Sequence, residues 1–306
     1  MRIILNQKYG LGNQMFQYAA GLYFAKMYGA TLEIIREDFS TASSLGHPRP
    51  FLLDRLNIST PARERTLVDR LLRSESRLVV CLTGPIRRIC QSYSIDPRFT
   101  ILGDFQPSLP IPTRARRVYL GGFFQVHQYA QAMEPQLRKE FTFREPPSRR
   151  NLETLQRIQD AKCPVSMHFR RGDYVSAWKG QNLLPFIYYE NAMAAIREVC
   201  PDPTFFVFSD DIESVRKDCR DLKSAIFVDN NSESVPHEDL RLISACRHHI
   251  VANSTLSWWG AWLDPRPEKA VIVPIPWYTT HPHPNLFPAS WRQIPSQNAK
   301  TGARQT

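Results

Sequence analysis

Six residues, His168-Phe169-Arg170-Arg171-Gly172-Asp173, put an imidazole, two guanidiniums and a carboxylate side by side. They follow Pro164, after which Val165, Met167 and Phe169 alternate with Ser166, His168 and Arg170. That alternation reads as a short buried strand over 165–169. Arginine is always charged and offers a planar fork of donors that matches phosphate oxygens. Two guanidiniums at the carboxyl end of a strand are costly to pack unless an anion sits there. The chemistry this suggests is phosphate or diphosphate binding; the alternative is a solvated strand end with Arg171 paired to Asp173.

Two further polar clusters sit at predicted strand ends. Ser209-Asp210-Asp211 follows the apolar run 204–208, and Asn253-Ser254-Thr255 follows 249–252 and precedes a helix over 256–263. Free N–H groups and the dipole at that helix start favour an anion, although Ser254 and Thr255 could also serve as caps alone. Asp210 or Asp211 could accept from the N–H groups of a base, one of the two acting only as an N-cap. Ligands of open α/β sheets bind beyond the carboxyl ends of the strands, so the three clusters describe one pocket suited to a nucleotide diphosphate.

The elements that must position these residues form a regular series. Strand and helix patterns alternate from 165 to 273, which implies a parallel sheet covered on both faces. The first half opens β-α-β: strand 3–5, a loop at Gly10-Leu11-Gly12-Asn13-Gln14, a helix marked by Phe16, Ala20, Tyr23 and Met27, then strand 31–35. The loop lacks the third glycine of a dinucleotide fingerprint and is not followed by Gly-Lys-Ser/Thr. Residues 118–125 read as a strand ending at glycines and 128–140 as a helix. Between 62 and 90, arginines interleave with leucines, the pattern of a surface helix or of one lying on an anionic membrane. The charged, proline-containing stretch 143–150 reads as a linker. The expected layout is therefore a domain over 1–145, a second over 151–290 and a flexible tail over 291–306.

A chain of 306 residues, 42% hydrophobic and 11% aromatic, is long enough for two globular domains, and its net charge of +10 suits an anionic partner. No reader motif or basic stripe with stacking aromatics points to nucleic acid. A non-catalytic carbohydrate-binding module would explain the tryptophans but not the arginines at strand ends. No apolar run reaches the ~18–20 residues of a membrane span, and the chain enters a strand without a signal-peptide layout, so a cytoplasmic protein is expected. The six cysteines, at 81, 90, 163, 200, 219 and 246, show neither Cys-x-x-Cys nor a zinc spacing, and free buried thiols are expected. No Asp-x-Asp occurs to hold a divalent ion. Two domains, a sugar-nucleotide pocket and no metal motif point to a two-Rossmann glycosyltransferase.

Four segments resemble the motifs of the bacterial α-1,2-fucosyltransferases (glycosyltransferase family 11): Gly10-Leu11-Gly12-Asn13-Gln14-Met15-Phe16-Gln17-Tyr18-Ala19, His168 to Asp173, Phe208-Ser209-Asp210-Asp211, and Asn253-Ser254-Thr255-Leu256-Ser257-Trp258-Trp259-Gly260-Ala261-Trp262. The resemblance runs from residue 1 to about 275. It implies a GT-B-type fold, two Rossmann-like domains facing each other across a cleft. It also implies inverting, metal-independent transfer of fucose from GDP-fucose to the 2-hydroxyl of a terminal galactose, with no cofactor. Arg170 would hold the β-phosphate, and His168 and an aspartate would contact guanine or ribose. Gly10, Gly12, Arg171, Ser209, Asp210, Asp211, Asn253, Ser254 and Thr255 complete the donor side. Asn13 would lie near phosphate and acceptor, with Gln14, Phe124, Gln125 and Trp258 on the acceptor side. Gly121-Gly122-Phe123-Phe124-Gln125 departs from the family's Gly-Tyr-Phe-Gln. Asp173 is the carboxylate nearest the motif and the candidate general base; its other role would be pairing with an arginine. Peripheral contact with the inner membrane and a role in lipopolysaccharide assembly complete the expectation.

Overall fold

A computed structural model describes residues 1–7, 9–36, 50–73, 92–95, 105–172, 182–220, 222–278 and 285–296. It divides into two units, Met1–Arg144 with Pro284–Leu286, and Glu145–His283 with Phe287–Thr306. The return of Pro284–Leu286 to the first unit falls within the stretch 151–290 expected for the second domain. Its physical cause is bonding: the backbone N–H of His127 donates to the Asn285 carbonyl at 2.9 Å.

The first unit contains β1 (Arg2–Gln7), α1 (Leu11–Met27), β2 (Thr31–Arg36), β3 (Ala62–Glu64), α2 (Leu67–Arg73), β4 (Ser92–Ile95), β5 (Arg117–Leu120), α3 (His127–Ala132) and α4 (Glu134–Glu140). The strands form a parallel sheet in the order β3-β2-β1-β5-β4. Helix α1 is apolar on nearly every side and is buried along most of its length. It stops at Tyr28, after which Gly29 takes the left-handed φ of 56° that a helix terminus favours. The helix expected over 128–140 is two, because the chain breaks at Met133 and restarts with a proline at the start of α4. Of the basic stretch 62–90, Ala62–Glu64 is a strand and Leu67–Arg73 a helix; 74–90 lie outside the described residues.

The second unit contains α5 (Arg149–Asp160), β6 (Pro164–Phe169), α6 (Phe186–Val199), β7 (Thr204–Ser209), α7 (Ile212–Asp218), β8 (Ala225–Phe227), α8 (Pro236–Ala245), β9 (His248–Ile250), α9 (Thr255–Leu263), β10 (Val271–Ile275) and β11 (Arg292–Pro295). Its sheet is parallel, in the order β11-β10-β9-β6-β7-β8. Both units are thus the parallel α/β domains anticipated. Strand β11 overturns the flexible tail for its first residues: Ile294 pairs with Pro274 of β10, and Trp291 is buried against Trp258 at 5.2 Å. Residues 297–306 lie outside the described set.

The faces of β6 have different neighbours. Val165, Met167 and Phe169 join Tyr188, Tyr189 and Ile196 of α6 in one core, with Phe169 stacked on Tyr189 at 3.8 Å. Ser166 and His168 point the other way, towards His249 and Ser257. On that side Phe206, Phe208 and Val228 pack with Ile158, Leu242 and Ile243. Gly260 lets α9 close on α8, since a Cβ there would overlap Ile243.

One cysteine expectation is corrected. Cys163 and Cys200 form a disulfide, their Cα atoms 6.5 Å apart. The parallel crossover is the reason: Cys163 precedes β6 and Cys200 ends α6, so both arrive where Pro164 pairs with Thr204. Spacing along the chain carries no sign of that proximity. Cys219 and Cys246 are free and buried, and Cys81 and Cys90 lie outside the described residues.

Candidate functional site

In the second unit the sheet is built outward from β6, with β7 and β8 added on one side and β9 to β11 on the other. The carboxyl ends of β6 and β9 therefore flank a topological switch point, where such sheets place ligands. Arg170 leaves β6 there, Asn253 and Ser254 follow β9, and Asp210 follows the neighbouring β7.

Asp210 is the hub of the cluster. Its Oδ2 lies 2.8 Å from Arg170 Nη1, and its Oδ1 accepts the backbone N–H of Arg171 at 2.7 Å. The carboxylate expected at the base thus also holds the arginine loop. Gly172 permits the arrangement, because a Cβ there would stand 2.8 Å from Asp210 Oδ2. Asp211 is the N-cap of α7 and accepts from Ser214 N–H at 3.2 Å, while Ser209 Oγ accepts from Asp211 N–H at 3.0 Å. Arg171 pairs with Asp218 and donates to Ser214 Oγ at 3.2 Å, so its guanidinium is engaged on α7. Asp173 lies outside the described residues.

His168 is buried, and burial pushes its pKa down to about 4, with Asp210 pulling up and Arg170 down. It is a neutral imidazole at neutral pH, its Nδ1 3.1 Å from Ser257 Oγ. Ser254 is the N-cap residue of α9, yet its side chain makes no capping bond. Its hydroxyl and the first N–H groups of α9 give the cluster an anion-suited face. Asn253 is buried and donates to the Asn182 carbonyl at 2.8 Å, which fixes the loop. Tyr188 OH supports the same loop by donating to the Val251 carbonyl at 2.6 Å.

In the first unit the switch point lies between β1 and β5. The expected glycine loop is mostly helix start: α1 begins at Leu11, and the Gly10 carbonyl accepts from Asn13 and Gln14 N–H groups. The backbone reversal falls on Tyr9, with φ 70°, and a second left-handed residue, Phe124 with φ 52°, follows β5. Gln125 Nε2 donates to Asn13 Oδ1 at 2.9 Å, joining the two turns. Asn13 Nδ2 has no partner among the described residues.

Three residues expected on the acceptor side are engaged within their own units. Gln14 donates to the Tyr9 and Pro50 carbonyls and accepts from Leu52 N–H, so its amide is committed to the fold. Phe124 is in the core against Tyr129. Trp258 is fully buried against Trp259 and Trp291, on a helix that is apolar apart from Thr255 and Ser257.

Two residues near the second cluster were not singled out from the sequence. Ser257 touches His168, and its place three residues into a helix looks like ordinary capping. Asp239, in the first turn of α8, accepts from Asn231 Nδ2 at 2.8 Å. Burial, with Glu238 and Asp210 adding to it, raises its pKa to about 6. An acidic residue in a first helical turn ordinarily signals only the dipole. Among the described residues no cluster of three or more His, Cys, Asp or Glu could hold a metal, and no helix is long and apolar enough to cross a membrane.

Known proteins are similar to this chain over most of its length. The chain is 31% identical to an alpha-1,2-colitosyltransferase of Escherichia coli, over 88% of this chain and 90% of that one. It is 29% identical to the O-antigen biosynthesis glycosyltransferase WbnK of Escherichia coli, over 92% of this chain and 97% of that one. A galactoside alpha-(1,2)-fucosyltransferase 1 of Leontocebus fuscicollis is 26% identical over 82% of this chain and 62% of its own length. Residues 93–291 match the profile of glycosyl transferase family 11, and with these relatives the match shows that the chain belongs to that family.

Proposed function

We propose that this glycosyltransferase moves L-fucose from GDP-fucose to the 2-hydroxyl of a terminal galactose in a glycan, inverting the anomeric carbon. The observation that carries the reading is the β6 strand end: Arg170 held by Asp210, beside a neutral, buried His168 and the open start of α9. Negative charge grows on GDP as the fucosyl–oxygen bond lengthens. A guanidinium already aimed at the diphosphate strengthens its contact as that charge develops, which lowers the barrier selectively. The acceptor hydroxyl must lose a proton, and Asp173 is the candidate base. Asn13, steadied by Gln125, is assigned to the reacting centre on the acceptor side. The first unit is assigned to the acceptor and the second to GDP.

Transfer without a divalent ion, a cytoplasmic location at the inner membrane surface, and O-antigen or another oligosaccharide as acceptor belong to the same proposal. The missing Asp-x-Asp and the O-antigen relative support them. A second reading, transfer of another sugar from its GDP form, is favoured by the colitosyltransferase relative. An assay with several GDP-sugars and galactose-terminated acceptors, with the new linkage and anomer read by NMR, decides between them. No product from any GDP-sugar would overturn both.

A further inference from the structure

The hydrogen-bond chain behind His168 has only one hydrogen to share in its middle. Ser257 Oγ lies 3.1 Å from His168 Nδ1 and 3.1 Å from the Ser254 carbonyl oxygen, and Ser257 and His168 are both buried. A serine hydroxyl carries a single hydrogen, and a carbonyl can only accept. If that hydrogen points at Ser254, the hydrogen in the other contact must come from the ring, as Nδ1–H. If it points at the ring instead, the Ser257 and Ser254 oxygens face each other at 3.1 Å with no hydrogen between them. Only the Nδ1–H form makes both contacts hydrogen bonds.

We infer that Ser257 is a positioning residue that fixes His168 as the Nδ1–H tautomer, so that Nε2 presents a lone pair to the ligand. Among the described residues no group bonds to Nε2. A neutral ring is consistent with the burial that depresses its basicity. The strand end then carries two complementary tools: a donor fork at Arg170 for the anionic part of the ligand, and an acceptor at His168 for a part bearing O–H or N–H. This ligand half rests on the nucleotide-diphosphate reading above. The matching chemistry is a hydrogen-bond donor, supplied either by a ribose hydroxyl or by the guanine edge.

The test separates tautomer from ligand. Long-range ¹⁵N–¹H correlation spectra of ¹⁵N-histidine-labelled protein, with the His168 signals identified by their loss in His168→Gln, should show a protonated Nδ1 and a bare Nε2 before any ligand is added. Ser257→Ala should allow the other tautomer to appear, and Ser257→Thr, which keeps the hydroxyl, should suppress it. Because only the competent fraction binds, GDP affinity in Ser257→Ala should fall about 3- to 10-fold. Inorganic pyrophosphate affinity should stay within about 2-fold of wild type, since the Arg170 side of the site is untouched. Repeating the comparison with 2′-deoxy-GDP, 3′-deoxy-GDP and IDP names the donor: the loss disappears with the analogue that lacks it, and a loss that persists with all three assigns the guanine N1–H. A protonated Nε2 in the wild type, or a tautomer unchanged by Ser257→Ala, overturns the inference. An Nδ1–H tautomer in a protein that binds no GDP overturns the nucleotide reading and leaves the tautomer assignment standing.

Discussion

The carboxyl ends of β1 and β6 hold the same station in two parallel sheets, and the chain furnishes them with different chemistry. At β6 the groups are charged or chargeable: Arg170 against Asp210, His168 beside them, and Arg171 tied down by Asp218. At β1 they are mostly neutral amides, with Asn13, Gln14, Gln17 and Gln125 joined to one another or to backbone carbonyls, and one guanidinium, that of Arg65, donating to Asn6 Oδ1. The backbone differs too. Gly172 accommodates Asp210 by lacking a side chain, whereas the β1 end puts Tyr9 and Phe124 into left-handed conformations. Fixed charge suits a diphosphate; amides, which both donate and accept, suit sugar hydroxyls.

The contrast can be broken experimentally. The largest expected effect is at Arg170. Arg170→Ala should lower kcat by roughly 10²–10³ with the fold intact, and weaken GDP binding. Arg170→Lys should not restore it, because a point charge does not replace the fork. A variant keeping more than half the wild-type kcat would remove Arg170 from the mechanism. Next, Asn13→Ala should lower kcat about 10- to 100-fold and weaken acceptor use, with little change in GDP affinity by calorimetry. Equal loss of GDP in both variants would merge the two ends into one nucleotide pocket.

Acidification should act on the second unit. His249 lies between Ser166 Oγ at 2.8 Å and Asp264 at 3.2 Å, and burial depresses its pKa from 6.5 to about 4. The unfolded chain therefore binds the extra proton first. The stability held at neutral pH is lost as pH falls through the window from about 6.5 to 4. The loss is on the order of 3 kcal/mol for this residue, from about 1.4 kcal/mol per pKa unit. His168 acts with the same sign, and Asp239, whose raised pKa favours its protonated form, opposes it. Urea unfolding between pH 7.5 and 4.5 should show this slope, and His249→Gln should flatten it; an unchanged slope would exclude His249 as its source. The smallest effect expected is none: activity should survive EDTA. Loss restored by Mn²⁺ or Mg²⁺ would show that Arg170 and the α9 start do not suffice for the leaving group.

Much of the β6 end was legible because charge at the end of an apolar strand has few uses. His168 and Arg170 stand where the alternation ends, and Asp211 caps a helix as one of the two aspartates was expected to. What stayed hidden depends on partners distant in sequence. That Asp210 also holds Arg170 and the Arg171 N–H shows only once the two strand ends are side by side. That Trp258 packs among Trp259 and Trp291 shows only in the folded chain, since Trp291 lies far along the sequence. Arg292–Pro295 carries no apolar alternation, since an edge strand needs only one inward residue, here Ile294. The Cys163–Cys200 pair follows from the crossover and from no motif.

The Asn285 carbonyl that completes the first unit has a consequence for the chain's synthesis. The backbone N–H and Nδ1 of His127 both meet it, at 2.9 and 3.0 Å, closing the start of α3. A ribosome releases residues in order, at about 5–20 per second, so this acceptor arrives on the order of ten seconds after Arg144. Throughout that interval the first unit waits for one of its own residues, which the chain reaches only after most of the second has been made. The two units are therefore not beads made one after the other. Both close only near the end of the chain, the first with Asn285 and the second with β11, and a chain halted after Arg144 would leave the start of α3 without its partner.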